Sequence, residues 1–220
     1  MPEILVQYEA EIWQSIGETI TMVGVSILAA ILIGLPVGTL LFLCRKGHLL
    51  DNPWAFSILN LLVNIIRSFP FLLLVVFLIP FTRLIIGTAI GTAAACVPLA
   101  IIAIAHYSRL VEQSLLDVSK GVIEAAISMG ASVKDVIFKF LYVEARSGLV
   151  LGLTTSIISF ISYSTIMGVV GGGGIGDFAI RYGYQQFKTE IMIYMIIIMI
   201  ILVQLIQFIG TAVARMIDKR

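Results

Sequence analysis

Five stretches of this 220-residue chain run for twenty-four residues or more with at most one charged side chain. Thr19–Cys44, Leu84–Ser108, Ser147–Gly176 and Ile191–Ala214 carry none, and Trp54–Thr82 carries only Arg67. About 20 apolar residues in a helix cross the hydrocarbon core of a bilayer. Lipid offers no hydrogen bonds, so a backbone must cross it as helices or as a closed barrel. Barrel strands alternate in polarity over about ten residues, whereas these runs are continuously apolar. The pattern predicts an all-α integral membrane protein with five transmembrane helices, at about 17–44, 55–82, 84–108, 147–170 and 190–214. It leaves no room for a separate soluble domain, so 1–220 reads as one transmembrane domain.

Composition excludes the other broad classes. Sixty per cent of the residues are apolar and 12% charged, against roughly 45–50% and about 25% in soluble domains, and the mean hydropathy is +1.08. Soluble enzymes, DNA-binding modules and disordered chains do not have this make-up. Fourteen basic against thirteen acidic residues give no field that would gather nucleic acid. Cys44 and Cys96 are too few for a disulfide framework.

Basic residues orient the spans, because cytoplasmic flanks collect Lys and Arg. With the amino terminus outside and the carboxyl terminus inside, the cytoplasmic side receives Arg45, Lys46, Arg109, Lys120, Lys134, Lys139, Arg146, Arg215, Lys219 and Arg220. The outer side receives Arg83, Arg181 and Lys188. The amino-terminal residues Glu3, Glu9 and Glu11 do not make the basic n-region of a cleaved signal peptide, so the first span is expected to be retained. Trp13, Trp54, Tyr182 and Tyr184 fall where interfacial aromatic belts belong.

One segment is polar: 109–146 holds ten of the 27 charges. Its signals read helix, break, helix, break, helix. The third span continues to Leu116 and is interrupted by Ser119-Lys120-Gly121. A short helix, Val122–Met129, ends at Gly130, a residue suited to the position just past a helix. Ser132 and Asp135 then have capping-box spacing, opening a helix that runs from Val133 through Ala145 into span four. The middle helix has Glu124 as its only charge and is too short to stand alone in water. Two surfaces would suit it on pattern alone: the groove of a partner protein or the plane of the membrane.

Glu124-Ala125-Ala126-Ile127-Ser128-Met129-Gly130 resembles the EAA motif of the membrane subunits of bacterial ABC importers. There the motif forms a coupling helix docked in a cleft of the ATP-hydrolysing subunit, which favours the partner groove. The small side chains of Ala125 and Ala126 would allow close approach, and Gly130 would supply a positive-φ turn. The chain departs from the family pattern beyond the motif, where Phe140-Leu141-Tyr142-Val143 lacks the usual proline and Ser147 stands where relatives often carry another. Further matches extend the likeness over nearly the whole chain. Asn64-Ile65-Ile66-Arg67-Ser68-Phe69-Pro70-Phe71 and Ile79-Pro80-Phe81-Thr82-Arg83 resemble the second span of methionine-uptake permeases. Tyr163-Ser164, Gly172-Gly173-Gly174-Ile175-Gly176 and Tyr182-Gly183-Tyr184 resemble that subfamily's fourth span and following loop.

The resemblance implies the type I ABC importer transmembrane architecture in a bacterial cytoplasmic (inner) membrane. It also implies two copies of the chain forming a pathway for methionine, or for another amino acid. Two ABC ATPase subunits would bind ATP and Mg, and an extracytoplasmic substrate-binding (lipo)protein would deliver cargo. Coupling to the ATPase would fall to Glu124, Ala125, Ala126, Met129 and Gly130. This chain would hold no cofactor of its own and catalyse nothing.

Arg67 is the one charge inside a span, and a central arginine costs roughly 2.5–3.5 kcal/mol on insertion scales. It either faces protein or water along a pathway or snorkels to headgroups. Pro70, three residues on, can free a carbonyl and kink the helix. Asn64, Tyr163, Ser164 and Met167 are further pathway or gate candidates, with ordinary helix packing as the competing account. Gly171–Gly176 formally spells G-x-G-x-x-G, but that fingerprint has meaning only between a strand and a helix; here the glycines would permit close packing. His48 and His106 have no partner at metal-ligand spacing, and no phosphate loop occurs. Energy for uphill transport must therefore come from another subunit. An ion-driven transporter acting alone would need membrane-embedded carboxylates, and an intramembrane enzyme would need a buried catalytic pair; the five spans supply neither.

Overall fold

The computed structural model describes residues 6–218, so Glu3, Lys219 and Arg220 lie outside the described residues. It is helical throughout, with no strand among them. Helix α1 (Glu9–Leu43) leads to α2 (Pro53–Ser68), α3 (Phe71–Phe77) and α4 (Ile79–Ile86). Then come α5 (Thr92–Leu116), the short α6 (Lys120–Ser128) and the long α7 (Val133–Val169). Helix α8 comprises Gly174–Phe178 and the π-helical Ala179–Gln185, and α9 is Thr189–Ile217. Among the described residues four helices (α1, α5, α7, α9) are each long and apolar enough to cross a membrane, and α2 with α3 makes a fifth if a bent pair counts as one.

Helix α5 is the centre. It packs against α1, α7 and α2, and Leu99, Ala103, Val111 and Leu115 are fully buried on it. Small residues set its approach to α1. A Cβ on Gly38 would stand 2.7 Å from that of Val111, and one on Gly34 would stand 3.0 Å from the Ile104 carbonyl oxygen. The Ser108 hydroxyl donates to the Gly34 carbonyl at 3.0 Å. That carbonyl belongs to a π-helical turn, Ala30–Gly34, directly before Pro36. Proline has no N–H and its ring crowds the carbonyl four residues back; a wide turn just ahead of it absorbs both defects without breaking the helix. Helix α9 meets α7 where the backbone of Gly210 lies directly on Thr154.

Two expectations about the spans change. The second apolar stretch, read as one span over 55–82, is folded in three pieces, with a 105° bend between α2 and α3. Phe69 is extended (φ −69, ψ 131), as a residue before proline tends to be, and Pro70 has no N–H to continue the ladder. The apolar residues Leu84–Ile86 complete α4, which ends at Gly87 with φ +85. The long third helix accordingly starts at Thr92 rather than at Leu84.

The junction into span four also differs from a proline bend. Val133–Val169 is continuous, and the turn Val136–Leu141 is π-helical, so the helix widens where a proline would have interrupted it. Tyr142, just past that turn, shares a 2.7 Å hydrogen bond with Thr39 of α1. Ser132 caps the helix as its spacing predicts, accepting from the Asp135 N–H at 3.2 Å and donating to the Asp135 carboxylate at 2.6 Å. Lys139 and Ser132 hold that carboxyl below the usual range.

Candidate functional site

The segment whose residues resemble the coupling motif forms α6 at one end of the bundle. Its two alanines part company. Ala126 is fully buried in the subunit's own core with Val136, Leu141 and Leu115, and Val122 and Ile123 pack beside it. Glu124, Ala125, Ile127, Ser128 and Met129 point away from the chain, with Ile127 49% and Met129 71% exposed. The helix therefore has an inner apolar face that fastens it and an outer face, with Ile127 and Met129 on it, that stays exposed among the described residues. Gly130 terminates it with φ +80, and the Ala131 N–H closes the turn on the Ala126 carbonyl at 3.1 Å.

Beside α6 lies a cavity of about 320 Å³ lined by Phe42, His48, Lys120, Ile123, Glu124 and Ile127, among others. His48 stands edge-on to Phe42 with ring centroids 4.5 Å apart. Burial depresses its pKa, and the nearby Arg45 and Lys120 charges add to that, with Asp51 opposing. No group of three or more metal-ligating side chains occurs among the described residues.

The pathway candidates do not form one cluster. Tyr163 stacks on Phe71 of α3 (centroids 4.6 Å apart, planes 26° apart) and so touches the bent second span. Ser164 is buried and its hydroxyl donates back to the Ile161 carbonyl at 2.7 Å. Met167 is buried with Met22, Phe71, Leu74 and Leu99. Both are committed to packing inside the subunit. Asn64 and Arg67 lie on the uncovered side of α2. Asn64 is engaged by Arg109, whereas Arg67 makes no hydrogen bond among the described residues.

A polar network missed by the sequence reading surrounds Asn64. The Arg109 guanidinium donates to the side-chain oxygens of Asn60 and Asn64, each at 2.7 Å, and pairs closely with Glu112. Glu112 is 1% exposed and also lies 3.5 Å from Arg45. Because α5 runs past Ser108 to Leu116, Glu112 is carried into the helix packing instead of a solvated loop. The available signal was a pair of spacings: Arg109 and Glu112 three apart on one helix, Asn60 and Asn64 four apart in an otherwise apolar one.

At the opposite end, the glycine run is a packed turn. Gly173 and Gly174 have φ of +79 and +88. The Glu18 carboxylate accepts from the Gly174 N–H at 2.7 Å, and the Thr19 hydroxyl accepts from the Ile175 N–H at 2.9 Å. A Cβ on Gly176 would stand 2.8 Å from that of Thr165. The close approach expected of these glycines is thus made within the chain. Of the expected interfacial aromatics, Trp13, Trp54 and Tyr184 are well exposed, and Tyr182 packs against Tyr8 and Phe178.

Residues 30–220 match the family described as binding-protein-dependent transport system inner membrane component. The chain is 44% identical over 203 residues to the probable D-methionine transport system permease protein MetI of Vibrio cholerae, covering 92% of this chain and 90% of that one. It is 41% identical over 210 residues to the methionine import system permease protein MetP of Bacillus subtilis, covering 96% and 95%. A solved chain from inward-facing conformations of the MetNI methionine ABC transporter superimposes with a TM-score of 0.94 at 39% identity, covering 100% of both chains.

Proposed function

The chain belongs to the family of binding-protein-dependent transport system inner membrane components, and from that membership we propose that two copies of it form the pathway of an ATP-driven methionine importer. It has the type I ABC importer transmembrane fold and is a subunit of an inner-membrane transporter, not an enzyme. Full-length agreement with a methionine-transporter chain carries the reading. A pair of ABC ATPases supplies the energy, binding ATP and Mg. An extracytoplasmic binding protein delivers the amino acid. The basic-residue distribution supports an outside amino terminus and a cytoplasmic α6.

In this arrangement Glu124, Ala125, Ile127 and Met129 present the surface that seats in the ATPase, while Ala126 fastens α6 to the permease from behind. An apolar face left open on a water-facing helix marks a docking site. Nucleotide-driven closure of the ATPases displaces α6, and α7, continuous from Val133 to Val169, carries that displacement into the membrane. The spans alternate between inward- and outward-facing states, each ligand biasing the shared equilibrium.

An exposed guanidinium on a membrane-spanning helix belongs against water or protein, not lipid. Arg67 and Asn64 therefore face the pathway between the copies, with Tyr163 beside them and Ser164 and Met167 supporting the wall from behind. Arg67→Leu should abolish uptake while the complex still assembles, read as labelled-methionine accumulation per assembled complex; unimpaired uptake would make Arg67 structural.

The decisive test reconstitutes the chain with its ATPase in liposomes, supplied with binding protein and ATP. Labelled methionine should accumulate only when both are present. Accumulation without nucleotide would overturn the mechanism, and preferential uptake of another amino acid would overturn the substrate.

A further inference from the structure

Helix α2 is weakly attached for a membrane-spanning element. Val63 is its one buried residue among those described; it sits in a small cluster with Leu41 and Ala105, flanked by Phe56, Leu59 and Ile66. At its far end the chain turns through 105°, so α3 cannot brace it along its axis. Polar contacts add to this narrow apolar stripe in setting its rotation about that axis: Arg109 holds Asn60 and Asn64, one turn apart, and Arg45 lies 6.0 Å from the centre of the Phe56 ring.

The two sides of this attachment differ in kind. Glu112 is nearly inaccessible, and a buried carboxylate stripped of its cation is strongly disfavoured. Arg109, three residues from Glu112 on the same helix and the nearer of its two cations, is therefore held more firmly by Glu112 than by the asparagines. Asn60 and Asn64 are neutral amides, half-buried and exposed, and water replaces either contact at small cost. The anchor is firm and the grip on α2 is releasable.

We propose that Arg109, fixed by the buried carboxylate of Glu112, is a positioning residue that latches α2 through Asn60 and Asn64, and that releasing and remaking this latch ties the movement of the second span to the transport cycle. The proposal rests on the transport reading above. Neither Arg109 nor Glu112 touches substrate; they act by setting where α2, and with it Arg67, stands.

The test uses Asn60→Ala/Asn64→Ala and, separately, Asn64→Asp, in the complete complex with its ATPase. The double alanine leaves the Arg109–Glu112 pair intact. Amide hydrogen exchange over 53–68 should speed up about tenfold or more with α5 unchanged, and methionine moved per ATP hydrolysed should fall by a similar factor, within the usual range of coupling between sites. The aspartate strengthens the grip, so hydrolysis and transport should slow together at an unchanged ratio. A purely structural contact predicts a lower yield or melting temperature with the methionine moved per ATP hydrolysed unchanged.

Unchanged exchange in the double alanine overturns the latch, as does faster exchange with an unchanged transport ratio. If the double alanine does not assemble, Asn64→Asp decides: wild-type turnover overturns the proposal. Should the wild-type complex move no methionine, the transport reading fails, and hydrogen exchange still decides whether Arg109 holds α2.

Discussion

Gly130 shows how finely single positions can be argued. Nothing lies within 4 Å of where its Cβ would stand, so bulk is no obstacle; the constraint is φ +80. Asparagine visits that region at little cost, while other L-residues pay about 1–2 kcal/mol there and β-branched ones more. ATP-coupled uptake should fall in the order Gly130→Asn, Gly130→Ala, Gly130→Val, the first close to wild type. His48 makes a pH prediction. Burial, Arg45 and Lys120 depress its pKa below the ordinary 6.5, so the unfolded chain binds the proton first. Its stabilising contribution is complete above 6.5 and is lost as the pH falls through that value towards the folded-state pKa. Thermal denaturation across that range should show a weaker pH slope in His48→Phe than in wild type. Gly130 was legible because a glycine after a short apolar helix has few other reasons to be there. Glu112 was not: the helix was expected to run on to Leu116, but nothing in the order of residues showed which side of it would be packed under Arg45 and Arg109.

At the scale of elements, α6 is defined by which alanine faces which way. Ala126 has no exposure, so Ala126→Leu overpacks its seat, at a typical cost of 1–3 kcal/mol, and should lower the melting temperature of the isolated permease. Ala125 lies outside. Ala125→Leu should leave that temperature unchanged and weaken binding of the ATPase, measured by co-purification. Equal effects at both positions would contradict the orientation of the helix. The existence and approximate ends of α6 followed from Ser119, Gly121 and Gly130, but a helix apolar nearly all round gives no phase, so the choice between the two alanines needed the packing against Val136 and Leu141. The break in the second span has the same character. Phe69-Pro70 announced a kink, whereas its 105° size belongs to the tertiary packing, in which Phe71 stacks on Tyr163 from a distant part of the chain. The absent proline after the motif left the form of the junction open, and the wide turn at Val136–Leu141 is what stands there.

Across the whole molecule, α1 clasps the turn before α8 through Glu18 and Thr19. Thr19 is 2% exposed, so Thr19→Val keeps its shape but leaves the Ile175 N–H unanswered, at about 1–3 kcal/mol. The melting temperature should drop, whereas Glu18→Gln, which keeps an acceptor for Gly174, should cost less. The membrane class and the helical architecture were open to reading because water and lipid sort side chains so severely. This clasp was not, because its partners lie 156 residues apart and no periodicity links them. That separation also has a meaning in time. At about 5–20 residues per second of synthesis, Glu18 and Thr19 leave the ribosome roughly 8–30 s before the N–H groups they will hold. Throughout that interval the outer end of the first helix lacks the turn it will clasp, although α5 is already made. A nascent protein abandoned short of Gly174 would therefore keep the α1–α5 packing and yet leave Glu18 and Thr19 without the N–H groups they hold in the finished chain.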